Sequence, residues 1–243
     1  MPNPTAAMLV IGDEILSGRT RDSNMHHLAG VLTKKGIDLA EVRVVADDRA
    51  AIVAAVQALS GAWDHVFTSG GIGPTHDDIT ADCIAEAFGA AIDVRADARA
   101  LLAAHYKRTG GELNEARLRM ARIPDGAILI DNPVSIAPGF SIGNVHVMAG
   151  VPAVFEAMVA TVMPQLTGGA PLQSDTVRID RGEGDIAQVL TGLAKAHPEL
   201  SIGSYPFQRK GKFGSNIVIR GSDAAAISMV RAALLEAFAG DAE

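Results

Sequence analysis

The chain has 243 residues, of which 48% are hydrophobic and 20% charged, which excludes a disordered polypeptide and fits one sizeable core with or without a small appendage. Its formal charge of −7 and pI of about 5.5 argue against a general nucleic-acid-binding or membrane-surface role. They leave room for a phosphorylated small molecule held in a local site.

Residues 6–12, AAMLVIG, form a continuous apolar run that reads as a fully buried strand. Residues 22–36 place Met25, Leu28 and Leu32 at helical spacing, with Lys34 and Lys35 in the last turn and Gly36 after it. A second strand follows over 37–47. The next helix, 48–61, is capped by Asp48 and buries Ile52, Val56 and Leu59 on one face. Residues 63–71 give a third strand, and the helix after it carries Ile79, Cys83, Ala87 and Phe88 near one stripe. This alternation predicts a mainly parallel sheet covered on both faces. Residues 95–124 read as two helices separated by Gly110-Gly111. Two short apolar runs, AILIDN and NVHVMAG, precede a helix over 152–166 entered through Pro152. TGGAPLQ (167–173) reads as a linker. Beyond it a β-α-β-β-α pattern of about 70 residues can build its own two-layer core. The expected division is therefore 1–168 and 172–243.

The single cysteine, Cys83, can form no internal disulfide and has no zinc-motif partner; it sits on the apolar stripe and reads as core. The N-terminus lacks the basic region of a signal peptide, and no segment approaches the roughly 18 apolar residues of a membrane helix. A cytoplasmic protein is expected.

The chemistry concentrates in TSGGIGPTHDDIT (68–80), where three glycines follow a strand and two aspartates precede a helix. Ligands of parallel sheets bind outside the carboxyl ends of the strands. Ser69, Gly70, Gly71, Gly73, Pro74 and Thr75 would let the backbone approach a phosphate and turn amides toward it. Asp77 and Asp78 would repel that phosphate unless Mg²⁺ or another divalent metal sat between them. The same stretch also reads as a turn followed by a cap, and taken alone it admits both readings. Two further loops bear on the choice. GDEILSGRTRDSN (12–24) offers Gly12, Asp13, Glu14, Ser17, Gly18 and Asp22, and VVADD ends in Asp47 and Asp48. Asp48 reads as the cap of its helix, leaving Asp47 as the site candidate. In a parallel sheet all three loops converge on one edge, a binding-site pattern.

The stretches IGDEILSGRTRDSN, VVADD, TSGGIGPTHDDIT, NPVSIAPGF (132–140) and MAGVPAVFEAM (148–158) resemble, in order and spacing, the molybdopterin-binding (MoCF-biosynthesis) domain family. Within it they are similar to the N-terminal part of the competence/damage-inducible protein A (CinA) group, and the tail with IGSYPF resembles that group's small second domain. The resemblance spans about 1–166. It implies a three-layer α/β/α fold with a mostly parallel mixed sheet. Relatives include molybdopterin adenylyltransferases and pyrophosphatases acting on ADP-ribose or FAD. Asp47 and Asp78 match functional aspartates of the adenylyltransferase branch, Ser17 and Gly18 its first-strand loop, and Gly150 and Pro152 its last ligand-facing turn. That branch carries a basic residue where this chain has Asp77, so Asp77 follows the CinA branch; His76 stands where CinA members often have lysine. Deamidation of pyridine nucleotides, which belongs to another domain of CinA proteins, is not implied.

The leading expectation is a metal-dependent pyrophosphatase that cleaves a nucleoside diphosphate linkage. Asp78, Asp47 and Asp77 would hold the metal, Glu14 would orient or deprotonate water, and the amides of 71–75 would face the phosphate. The alternatives are a molybdopterin adenylyltransferase and a non-catalytic pterin- or nucleotide-binding module. The expected partner is a small nucleotide or pterin, with no nucleic acid or membrane, and the expected assembly is a homodimer. His26 and His27 diverge on their helix, Trp63 reads as packing, and QRKGKF (208–213) is a basic hairpin tip.

Overall fold

A computed structural model describes residues 2–209 and 212–242; the predicted tip at 208–213 therefore includes two residues, Lys210 and Gly211, that lie outside the described ones. The chain divides into two compact units, Met1–Gly169 and Ala170–Glu243.

The first unit is built on a six-stranded sheet. Its strands are β1 (Thr5–Ile11), β2 (Asp38–Val45), β3 (His65–Ser69), β6 (Ile128–Ile130), β7 (Gly139–Ile142) and β8 (Val145–Met148), in the order β2-β1-β3-β8-β7-β6. The pairs β2–β1, β1–β3 and β3–β8 are parallel; β8–β7 and β7–β6 are antiparallel. The continuous apolar run of β1 follows from its central position, since residues 6–11 are buried on both faces. Ala7, Leu9 and Ile11 pack toward α3 (Arg49–Ala62), α4 (Thr80–Phe88) and α5 (Ala96–Thr109). Ala6, Met8 and Val10 pack toward α2 (Asn24–Lys35) and α7 (Pro152–Val162). The result is the three-layer α/β/α arrangement expected from the sequence.

Local signals act as read. Gly36 closes α2 in the left-handed conformation, the Asp48 carboxylate accepts the Ala51 amide to cap α3, and Pro152 opens α7. Cys83 is fully buried, and burial pushes its thiol up to about 11. Four features differ from expectation. The helix after β3 begins at Thr80, so Asp77 and Asp78 lie in the preceding loop, and Phe88 at its end is 36% exposed. The second helix of 95–124 is a single turn, α6 (Glu115–Leu118), followed by a 3₁₀ turn at Arg119–Ala121. A two-stranded antiparallel ribbon, β4 (Ile92–Val94) with β5 (Arg122–Pro124), joins this region. Finally, 167–169 are no free linker: the Gly169 amide bonds the Gly36 carbonyl, and a Cβ on Gly168 would meet the Lys35 carbonyl at 2.0 Å.

The second unit runs β9 (Gln173–Ile179), α8 (Glu183–Ala196), β10 (Ser201–Arg209), β11 (Lys212–Gly221) and α9 (Ala224–Ala237). The strands form an antiparallel sheet in the order β10-β11-β9. Val177 and Ile179 from β9 and Ile217 and Ile219 from β11 form its core with Ile186 of α8 and Val230 of α9. Among the described residues no helix is long and apolar enough to cross a membrane.

Candidate functional site

The strand order places β1 between β2 and β3, so the chain leaves β1 in one direction for β2 and later returns on its other side. The carboxyl ends of β1 and β3 flank that reversal, where open parallel sheets form a crevice. A cleft of about 710 Å³ lies here, and every loop at this edge contributes to it. Gly12 and Glu14 come from the loop after β1, Asp47 from that after β2, and Gly70, Gly71, Ile72, Gly73, Asp77 and Asp78 from that after β3. Gly150 and Pro152 come from the β8–α7 turn.

Tight contacts explain the glycines. A Cβ on Gly70, whose φ is +112°, would lie 2.2 Å from the Ile11 carbonyl. On the other side Gly70 abuts Gly150, whose own Cβ would meet the Gly70 Cα at 3.3 Å. Gly71, at φ +68°, leaves space for the Thr80 hydroxyl. Thr80 is fully buried and closes the loop twice: its amide donates to the Gly71 carbonyl and its hydroxyl to the Gly70 carbonyl, both at 3.0 Å. Carboxylates occupy the space that side chains would fill at Gly12 and Gly73. The Glu14 carboxylate lies 2.7 Å from a Cβ position on Gly12, and the Asp78 carboxylate 2.7 Å from one on Gly73.

The amides of this loop divide. Thr75 donates its amide to the Asp78 carboxylate at 2.8 Å. Pro74 has no amide to give. Those of Gly71, Ile72 and Gly73 donate to no group among the described residues. Of the 71–75 segment expected to face a phosphate, only 71–73 therefore keep unpaired amides among the described residues. The Thr75 hydroxyl stands 2.5 Å from Asp77 Oδ1 and 2.6 Å from Asp78 Oδ2; with one proton it serves one carboxylate at a time. This bond holds the Asp77 carboxyl below its usual range. Arg119 anchors the end of the loop from behind, donating to the Asp78 carbonyl at 3.1 Å.

Asp47 accepts the Asp13 amide at 3.0 Å, tying the loops after β1 and β2 together. Its pKa is raised, first by burial; the Asp13 hydrogen bond opposes this, and the neighbouring charges of Asp13, Glu14 and Asp77 add to it. Glu14 accepts no side-chain hydrogen bond from the described residues. No Lys, Arg or His among the described residues lines the cleft. Among the described residues no three His, Cys, Asp or Glu side chains form a ready metal cage. The donor set instead fits a hard cation held by one or two carboxylates, with water or ligand oxygens completing its shell.

Other expected site residues lie elsewhere. Ser17 and Gly18 are exposed at the end of α1 (Asp13–Leu16), outside the cleft lining; Thr20 stands in the wall instead. Ser69 is buried and accepts a hydrogen bond from Asn24. Pro74 is exposed beyond the rim. Sequence reasoning missed Met120 and the 132–137 turn. Asn132 is buried and organises that turn by itself. Its Nδ2 donates to Ser135 Oγ and the Ala137 carbonyl, while its Oδ1 accepts the amides of Val134 and Ser135. Ile136 within it is held at φ +69°, a strained conformation for a β-branched residue. The Asn-Pro pair was the signal available in the sequence.

Comparison with known proteins adds to this geometry. Residues 7–168 match the family described as "Probable molybdopterin binding domain", and residues 171–242 match "FAD synthase, middle domain". A "Probable FAD synthase" of Caenorhabditis elegans is 35% identical over 97% of this chain and 50% of that protein. A "CinA-like protein" of Citrifermentans bemidjiense is 37% identical over 82% of this chain and 48% of that protein. The chain thus spans about half the length of these relatives. A crystal structure of the protein CinA from Thermoplasma acidophilum, 34% identical, superposes with a TM-score of 0.62 over 67% of this chain and 97% of that one. The chain belongs to the molybdopterin-binding domain family and is a CinA-like member of it.

Proposed function

We propose that the cleft binds a nucleotide with a diphosphate linkage, of the ADP-ribose or FAD type, and cleaves that linkage to release AMP. One observation carries the reading: the free amides of Gly71, Ile72 and Gly73 share a crevice at the topological reversal with the carboxylates of Glu14, Asp47, Asp77 and Asp78. Amides alone suit an anion, and carboxylates alone reject one. Together they suit a phosphate that arrives with a divalent cation such as Mg²⁺, which Asp47 and Asp78 would hold, with Asp77 beside them. When bound, such a cation polarises a phosphoryl oxygen and lowers the pKa of water.

The protein's own groups supply the rest. Glu14, without a side-chain hydrogen-bond partner among the described residues, is free to take the proton of an attacking water. The amides of 71–73 donate to the phosphate oxygens on which charge develops. Ile72, Met120, Val151 and Val154 line the cleft with apolar side chains, which would suit a flat ring. The relatives named FAD synthase favour a flavin dinucleotide within this class.

Product analysis tests the reading. The protein is incubated with FAD, ADP-ribose and ATP, with and without Mg²⁺, and the products are separated by chromatography. Metal-dependent AMP release without added pterin supports hydrolysis. AMP transfer only in the presence of molybdopterin overturns it in favour of an adenylyltransferase. Thermal stabilisation without product identifies a binding module.

A further inference from the structure

A smaller pocket of about 60 Å³ opens beside the main cleft and shares Ile11, Glu14, Thr20, Gly150 and Pro152 with it. Asn24, the first residue of α2, stands in its wall and is only 3% exposed. The Asn24 carboxamide uses both of its donor positions. Nδ2 donates to Ser69 Oγ and to the Gly150 carbonyl, each at 2.8 Å. A carbonyl only accepts, so the Gly150 bond fixes which end of the amide is nitrogen. Oδ1 is thereby left as a buried acceptor with no donor. Orphaned acceptors of this kind are uncommon in folded proteins and call for a partner.

We infer that this pocket is a sugar-hydroxyl subsite of the cleft, in which Asn24 Oδ1 accepts a hydrogen bond from a hydroxyl of the bound ligand. This rests on the nucleotide reading above. Three observations specify the chemistry. The polar lining mixes acceptors, Glu14 and Asp22 beside Asn24, with donors, Arg21 and the hydroxyls of Thr20 and Ser23, and a hydroxyl, which both donates and accepts, can serve both kinds. Its volume admits a hydroxyl but not a nucleobase. Asn24 bonds Ser69, the residue before Gly70, and Gly150, which touches Gly70, so it lies immediately beside the proposed phosphate loop. In a nucleotide the group next to the phosphate is the sugar. That sugar is the ribose of an adenylate or the ribityl chain of a flavin phosphate.

Calorimetric binding separates these sources without relying on turnover. AMP, 2′-deoxy-AMP, 3′-deoxy-AMP and FMN are titrated into the full chain and into Asn24→Ala. If ribose is the partner, one deoxy analogue binds the unmodified chain about tenfold more weakly than AMP, and Asn24→Ala removes that preference. If the ribityl chain is the partner, Asn24→Ala weakens FMN by a similar factor and leaves AMP unchanged. Ser69→Ala loosens the same latch but keeps Oδ1, so it should lower Tm and keep the hydroxyl preference. The inference is overturned if the unmodified chain binds AMP and both deoxy analogues alike and FMN is indifferent to Asn24→Ala. It is also overturned if Ser69→Ala erases the preference as completely as Asn24→Ala, which would make Asn24 a positioning residue only. AMP binding with hydroxyl preference but no dinucleotide cleavage would sink the proposed hydrolysis and leave the subsite standing.

Discussion

Replacing Asp78 separates the chemical reading of the glycine-rich loop from the structural one. The Asp78 carboxylate accepts the Thr75 amide at 2.8 Å and shares the Thr75 hydroxyl, 2.6 Å away, with Asp77. Thr75 is exposed, so its donors find water when the carboxylate goes, and the loss stays near that of a helix cap, about 1–2 kcal/mol for Asp78→Ala. A domain of this size has about 5–15 kcal/mol to draw on and should lose about 2–8 °C in Tm. Asp78→Asn keeps the shape and an oxygen for the Thr75 amide, so its loss should stay below about 1 kcal/mol. The Arg119 bond to the Asp78 carbonyl survives both changes. Catalysis should respond differently. Asn lacks the charge that a divalent cation requires, so both variants should lose at least a hundredfold in rate, about 2.7 kcal/mol at roughly 1.36 per decade. The assay is dinucleotide cleavage against Mg²⁺ concentration, with thermal unfolding in parallel. If Asp78→Asn folds normally and turns over at near the unmodified rate at millimolar Mg²⁺, the metal reading is wrong, and Asp78 only caps Thr75.

Three further outcomes are expected. Gly70→Ala should lose about 3–5 kcal/mol in chemical denaturation, because φ is +112° and the new methyl would lie 2.2 Å from the Ile11 carbonyl; a loss under about 1 kcal/mol refutes the pinch described for this residue. His146 is 7% exposed, and burial, helped by nearby His65, moves its pKa from 6.5 down to about 4. The folded state therefore binds fewer protons than the unfolded one between these values, and stability falls as pH drops from about 6.5 to 4, by up to about 3 kcal/mol from this group; His146→Gln should flatten that part of the pH–stability profile, and an unchanged slope tells against it. A 1–169 fragment contains every residue of the cleft and should fold and bind AMP like the full chain, as calorimetry would show.

How much of this was legible in the sequence depends on how local the cause was. β1 could be read because a central strand buries both faces and leaves an unbroken apolar run. The cap of α3 could be read because Asp48 acts on a residue three positions away. β4, β5 and β7 could not: with three or four residues each, they show no periodicity, and their pairing partners fix them. The start of α4 was misplaced because Asp77 and Asp78 resemble helix caps, whereas Thr80 closes the loop back to Gly70 and Gly71. Met120 entered the cleft from a segment more than forty residues beyond the loop after β3 with no local mark of its destination, and the Asn-Pro pair at 132 marked a turn without marking where that turn would lie.

The two motifs that lead into the cleft, GDE at 12–14 and GGIGPTHDDIT at 70–80, share a physical logic that composition hides. In each, a glycine lacks a side chain because a carboxylate further along the same loop occupies that space: Glu14 over Gly12 and Asp78 over Gly73. Gly71 does the same for the Thr80 hydroxyl, and Gly70 yields to the backbone of β1 and to Gly150. The glycines are therefore not a flexible hinge. They are the concave half of a fitted surface whose convex half is the carboxylates of Glu14 and Asp78 and the Thr80 hydroxyl, which is why Gly73→Ala should displace the Asp78 carboxylate while leaving its charge in place. An enzyme that needs only the charge would tolerate that change; one that needs the carboxylate at a fixed distance from the amides of 71–73 would lose rate as sharply as in Asp78→Asn.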